Sequence, residues 1–417
     1  MTDIEPETLL NQSTSSITEI LDLGLAAAKQ QDWLLVNNYL RLLPLATTSL
    51  ADEDWKRTFN LTLEVLEQGD FQQKWEIVKI FPLLGQPIIE PLATLLKDEA
   101  VEVEVRWFIC RILGQFADQT VVIALIELLQ QTTETELITI AGETLTKIGT
   151  AAIDGLVDLL SQPQYRWLAA QSLAYIRTTE TIPPLLAIAN DPQPEIRTVA
   201  IEALGSFHDD RIPPILIAAL QDTTAAVRIQ SAIALGFRPD LCSKLKLVAH
   251  LRPLLYDLNG EVCRQGAISL GRMKDESAST ALFEVLQSDL TPVALKRDIV
   301  KALAWSEIES AINYLQQALF NSIEPVTQEI ITVLGRISTP DLKFKSAQIL
   351  IDWYSQRGRG DSRIAPICSP EIKQALATSW GELGSNLALK PLQELSADKN
   401  RQVQLHAIAA LKNLAKN

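Results

Sequence analysis

Histidine, cysteine and methionine are scarce, at three, four and two residues in a chain of 417. His208, His250 and His406 have no second histidine three or four positions away, so the paired-imidazole metal sites that sit on one helix face are excluded. Cys110, Cys242, Cys263 and Cys368 are equally dispersed and form no CxxC pair. That leaves no zinc or disulfide framework and fits a reducing, cytoplasmic setting. Glycine-rich phosphate loops and GxSxG are absent too. Basic charge is short: 37 Lys and Arg stand against 51 Asp and Glu, for a formal charge of −14, with no basic stripe. Nucleic acid and anionic membranes are therefore poor partners. No apolar run approaches the roughly 20 residues that a membrane span needs. The start, MTDIEPETLLNQSTSS, lacks the basic and apolar segments of a signal peptide.

What is present is a repeat. Ile182–Gly205 reads IPPLLAIANDPQPEIRTVAIEALG, and Ile212–Gly236 reads IPPILIAALQDTTAAVRIQSAIALG. Asp191 matches Asp222, Arg197 matches Arg228 and Gly205 matches Gly236, each 31 residues on. A small or turn residue late in each second helix continues the column through Gly114, Thr146, Ala174, Gly205, Gly236, Gly271, Ala304, Gly335, Gly381 and Lys412. Spacing of this kind predicts helix pairs stacked into a solenoid, because one pair cannot bury both of its faces alone. Within a unit, Ile182, Leu185, Leu186 and Ala189 share one helical face, as do Ile196, Val199, Ala200, Ala203 and Leu204. The Pro-Pro pairs suit first turns, and Asp191 and Asp222 suit positions just before second helices. Asp191, Arg197, Asp222 and Arg228 read as a structural ladder between repeats rather than as a charged binding strip.

The expected fold is all-α: a right-handed superhelix of about ten helix pairs with an N-terminal helical cap. Residues 1–16 read as a disordered tail, and residues 17–85 as the cap or docking module, dense in aromatics such as Trp33, Trp55 and Trp75. The array runs over 86–417, with a loop insertion at 355–370 that is basic in an otherwise acidic chain.

The blocks DPQPEIRTVAIEALG (Asp191–Gly205), DTTAAVRIQSAIALG (Asp222–Gly236) and EVCRQGAISLGRMKD (Glu261–Asp275) resemble the short HEAT-like repeats of cyanobacterial phycobilin lyases of the E/F type. The stretch AAKQQDWLLVNNYLRLLP (Ala27–Pro44) is similar to cyanobacterial members of the same broad group. The resemblance implies a scaffold that binds an open-chain bilin, a phycobilin held transiently, and presents it to a cysteine of a phycobiliprotein subunit, alone or with a lyase partner subunit. A relative of that group implies the alternative, an adaptor for an iron–sulfur assembly protein. Di-metal HEAT enzymes such as deoxyhypusine hydroxylases need paired His-Glu motifs, and none occurs here.

Neither a catalytic residue set nor a metal site emerges. Ligand contacts are expected from the insertion: Arg357, Arg359 and Arg363 to meet propionates by bidentate bonds, and Trp353 or Tyr354 to stack on the rings. Cys368, set among these arginines, is the candidate reactive thiol. Cys110 and Cys263 read as core thiols. A protein partner is expected on the concave face.

Overall fold

The computed structural model describes residues 16–43, 45, 50–358 and 369–415. The expected tail, residues 1–16, lies outside the described residues except for Ser16. Among the described residues every regular element is an α-helix or a short 3-10 turn. The chain is an α-solenoid, in two compact units, Met1–Ile188 and Ala189–Asn417.

The first unit contains α1 (Ile17–Lys29), α2 (Trp33–Leu42), α3 (Asp52–Gln68), α4 (Phe71–Ile77), α5 (Ile89–Lys97), α6 (Val103–Leu113), α7 (Gln119–Gln131), α8 (Thr135–Ile148), α9 (Ile153–Leu160), α10 (Arg166–Ile176) and α11 (Ile182–Ile188). Sequence sets their starts. Ser16 with Glu19, and Asp70 with Gln73, form reciprocal capping boxes at α1 and α4. The aromatics of the first helices mostly face inward. Trp55 stacks on Phe59 at 5.3 Å, Phe59 meets Phe81 edge-on, and the Trp55 indole donates to the Leu84 carbonyl at 3.0 Å. From α5 onward the pairs keep the repeat order. First helices α5 and α7 pack together, and second helices α6, α8 and α10 pack in succession. The change of pattern near residue 85 thus lies inside this unit.

The second unit contains α12 (Pro194–Leu204), α13 (Ile212–Ala219), α14 (Ala225–Gly236), α15 (Cys242–Leu245), α16 (Leu247–Leu251), α17 (Gly260–Arg272), α18 (Glu276–Gln287), α19 (Val293–Ser306), α20 (Glu309–Asn321), α21 (Glu324–Gly335), α22 (Pro340–Gly358), α23 (Pro370–Leu383), α24 (Leu389–Ser396) and α25 (Arg401–Leu414). Second helices α12, α14, α17, α19, α21, α23 and α25 each pack on the next. The glycine column explains how closely they approach. A Cβ on Gly271 would stand 2.5 Å from the Ala302 carbonyl oxygen, and one on Gly335 would stand 2.7 Å from Ser379 Cα. The facing residues are small, and two of them add a bond across the contact. Ser269 Oγ donates to the Ala232 carbonyl at 2.7 Å, and Ser379 Oγ to the Ile331 carbonyl at 2.9 Å.

Charged rungs lock the turns. Arg197 donates through Nε and Nη2 to Asp222 at 2.7 and 2.8 Å, and through Nη1 to the Asp191 carbonyl at 2.8 Å. Arg228 repeats this on Asp257, at 2.8 and 2.7 Å, and on the Asp222 carbonyl at 2.7 Å. Each aspartate also fixes its own turn by accepting a backbone amide, Thr224 N for Asp222 and Asn259 N for Asp257. A third rung joins Lys373 to Asp398 at 2.6 Å.

Burial pushes the carboxyls of Asp222 and Asp257 upward, but the guanidinium and amide donors outweigh it and hold both below the usual carboxylate value. Their folded values are depressed, so their stabilisation is present above about pH 4 and lost as pH falls through the lower folded values. Arg228→Met is therefore expected to cost about 2 kcal/mol at neutral pH. The gap to the parent should narrow in urea titrations as pH falls below the ordinary carboxylate value, and close once Asp257 is protonated in the folded state. A gap that stays constant with pH would remove the rung from the stability account.

Candidate functional site

Of the residues expected to hold a ligand, Trp353 lies on α22 and is fully buried, with its indole donating to the Leu319 carbonyl at 3.1 Å. It is a core residue with no open ring face, contrary to the expectation of a stacking platform. Tyr354 is half-buried and meets Trp380 edge-on at 5.4 Å, and burial pushes its phenol pKa up. The side chains of Arg357, Arg359, Arg363 and Cys368 lie outside the described residues. Asp191, Arg197, Asp222 and Arg228 are engaged in turns and rungs, so they are committed to the stack.

The first unit holds a different feature, a trough of about 850 Å³ between α8 and α10. Two turns build its rim. Thr132 Oγ1 accepts the Glu134 amide at 3.1 Å before α8 begins. Tyr165, just before α10, donates its hydroxyl to the Leu129 carbonyl. The α10 wall then presents Trp167, Leu168, Gln171 and Tyr175 at helical spacing. Trp167 is 44% and Tyr175 63% exposed, so both keep apolar faces in water. The α8 wall presents Ile138, Thr139, Glu143 and Thr146. Gly142 lies under Leu168, where a Cβ would stand 2.9 Å from Leu168 Cδ1, and this closes the floor. Glu143 is the one charged residue of the lining.

The repeat register extends this face to α6. Trp107, Thr139 and Trp167 are equivalent positions, as are Arg111, Glu143 and Gln171. The Arg111 guanidinium lies 4.7 Å from the Trp75 ring centre and 5.1 Å from that of Trp107, within cation–π distance of both rings. The sequence analysis singles out the aromatics of 17–85 and passes over Trp167 and Tyr175. The signal was their spacing of eight, which puts both on the face of α10 away from the buried Ala169, Ala170 and Leu173.

Charge is divided unevenly. Residues 1–188 carry 26 Asp and Glu against 12 Lys and Arg, whereas 189–417 carry 25 of each. The whole excess of −14 thus belongs to the unit with the trough.

Among the described residues no group of three or more His, Cys, Asp and Glu is placed to hold a metal ion. No histidine or cysteine lines the trough, and Ser172 beneath it is buried. His406 Nδ1 lies 2.9 Å from Thr378 Oγ1 beside a smaller hollow of about 250 Å³ in the second unit. No nucleophile–base–orienter chain follows from that pair. Burial pushes the Cys110 thiol up to about 12 and raises those of Cys242 and Cys263. Iodoacetamide at about pH 8 is expected to spare all three until denaturant is added, because the thiolate is the reactive form. Peptide mass spectrometry reads this directly, and native-state labelling at Cys110 would show that the first unit opens. No helix among the described residues is long and apolar enough to cross a membrane.

A family model for HEAT repeats matches residues 153–236. None of the curated proteins compared matches the sequence. Among solved structures, Kap95p, described as inducing the switch loops of RanGDP to adopt the GTP-bound conformation on binding, is 10% identical. Its match covers 99% of this chain and 62% of Kap95p, with a TM-score of 0.51. Importin beta is 12% identical over 96% of this chain and 60% of its own, with a TM-score of 0.49. Human deoxyhypusine hydroxylase in complex with glycerol is 19% identical over 67% of this chain and 100% of its own, with a TM-score of 0.28. This chain spans about three fifths of Kap95p, and that likeness is one of fold.

Proposed function

We propose that this solenoid is a non-catalytic scaffold that grips an extended segment of a protein partner in the trough between α8 and α10. The observation that carries the reading is the pair of exposed rings, Trp167 and Tyr175, on one wall of an 850 Å³ trough. Amphipathic rings of this kind dominate protein interfaces because they bury much area at little entropic cost. Thr139, Thr146, Gln164 and Gln171 supply hydroxyls and amides suited to peptide backbone groups. Glu143 and the −14 of this unit favour a segment that carries Lys or Arg. Kap95p, which shares the fold, binds another protein through a larger chain of this kind. A reducing, cytoplasmic location belongs to the same proposal.

The test is selection of random peptides on the full chain, followed by affinity measurement on the enriched sequences. Trp167→Ala with Tyr175→Ala is expected to weaken those peptides at least thirtyfold, since ring hot spots are worth about 2 kcal/mol or more each. Both rings are exposed, so the fold should survive. Peptides that bind the double variant equally well would sink the trough as the site.

A second reading keeps the bilin. The volume suits a small molecule, Trp167 and Tyr175 offer stacking faces, and the repeats resemble those of the bilin lyases. Propionates would need a cation, and the lining has none. Arg357, Arg359 and Arg363 as propionate ligands and Cys368 as reactive thiol, with a phycobiliprotein subunit or a lyase partner subunit as partner, are a separate proposal for the second unit and do not supply the trough. Co-expression with a bilin-synthesis pathway decides it: red or green absorbance retained on the purified protein supports a bilin, and its absence removes one. An iron–sulfur adaptor would instead be expected to copurify with a brown assembly partner.

A further inference from the structure

A separate surface of the second unit carries three exposed aliphatic side chains, one per repeat. Leu258 is 106% exposed, Leu290 93% and Ile323 55%. All three stand at the entry of a second helix. Leu258 precedes Asn259, the N-cap of α17; Leu290 stands two residues before Pro292, the N-cap of α19; and Ile323 is itself the N-cap of α21. The turns that present them are fixed by short bonds. The Asn259 amide donates to Asp257 at 2.9 Å, Thr291 Oγ1 to the Val285 carbonyl at 2.7 Å, and Thr327 Oγ1 to the Ser322 carbonyl at 3.1 Å. The equivalent turn before the row carries the polar Thr223.

Helices α17, α19 and α21 pack in succession, which sets neighbouring rungs of the row about 8–10 Å apart. Seven residues of an α-helix rise about 10.5 Å. The row therefore matches a helix that places apolar residues at i, i+7 and i+14. Charge selects the kind of helix. Asp289 and Glu324 flank the row, exposed and without an ion pair among the described residues, while Glu261 stands beside it bonded to Arg264. Such a rim attracts Lys and Arg and repels anionic lipid headgroups. It would also meet its own acidic rim in a second copy of the chain.

We propose that Leu258, Leu290 and Ile323 form a docking ridge for a cationic amphipathic helix of a protein partner, distinct from the trough of the first unit. The probe is a Leu/Lys model peptide of about 21 residues with leucines on one helical face, titrated by fluorescence anisotropy at physiological ionic strength. The control is the matching Leu/Glu peptide. The Leu/Lys peptide is expected to bind the full chain and to lose at least tenfold in affinity for the variant Leu258→Ser, Leu290→Ser, Ile323→Ser. Leu258 and Leu290 give up almost no buried surface and Ile323 only part of its own, and circular dichroism checks the fold. Asp289→Asn with Glu324→Gln is expected to weaken the same peptide severalfold. Equal binding to the triple variant overturns the proposal, as does equal binding of the Leu/Glu peptide. Triple-variant-sensitive binding to mixed phosphatidylcholine and phosphatidylglycerol vesicles overturns it in favour of a membrane surface. Dimers of the parent that vanish in the triple variant overturn it in favour of a second copy.

Discussion

Trp353→Ala is expected to lower the stability of the second unit by about 4 kcal/mol, the upper range for emptying a large aromatic site in a packed core. The indole is completely enclosed, and its N–H satisfies the Leu319 carbonyl across the contact between α22 and α20. Truncation therefore opens a cavity and strands a buried acceptor in one step. Trp353→Phe should keep most of the volume and lose the bond, at about half the cost. Hydrogen exchange offers a spatial check. In a repeat stack each layer touches only its neighbours, so protection should fall in α20 to α23 and hold in α6 to α10. A loss below about 1 kcal/mol would mean that this ring is not enclosed in solution.

Gly271→Val is expected to cost about 3 kcal/mol for the opposite reason, too much matter in too little space. The first added carbon lands 2.5 Å from a backbone oxygen of α19, which cannot swing aside as the tip of a side chain can. Gly335→Val meets Ser379 Cα at 2.7 Å and should behave alike. Gly260→Ala is the control. Nothing lies within 4 Å of its added carbon, so restricting the unfolded chain should leave stability unchanged or slightly higher. Urea midpoints of the three variants rank the effects. Valine tolerated at Gly271 would show that α17 and α19 stand further apart than described.

The repeat was legible because its periodic residues answer to periodic contacts. Arg197 and Arg228 recur since each reaches the turn of the next repeat, and the glycines recur since second helices nearly touch. Asp257 escaped the pattern. Its loop is lengthened by the short helices over 239–256, so Arg228 reaches 29 residues ahead where Arg197 reaches 25. Trp353 was misplaced because it stands four residues before the arginine-bearing insertion that begins near Arg357. Its helical phase, shared with Ser346 and Leu350, points inward, and both of those residues are buried. Trp167 and Tyr175 went unseen for a converse reason. A large ring on a helix most often packs inside, and only its placement relative to Ala169, Ala170 and Leu173 reveals the outer face.

The rungs have a consequence for how the second unit comes apart. Arg228 holds the turn behind it and the turn ahead of it at once. A hairpin that frays strips its neighbour of a counterion and a clasp together, so loosening travels along the stack as a zipper opens. Mechanical pulling on such a chain should yield in steps of one hairpin, each released by the one before.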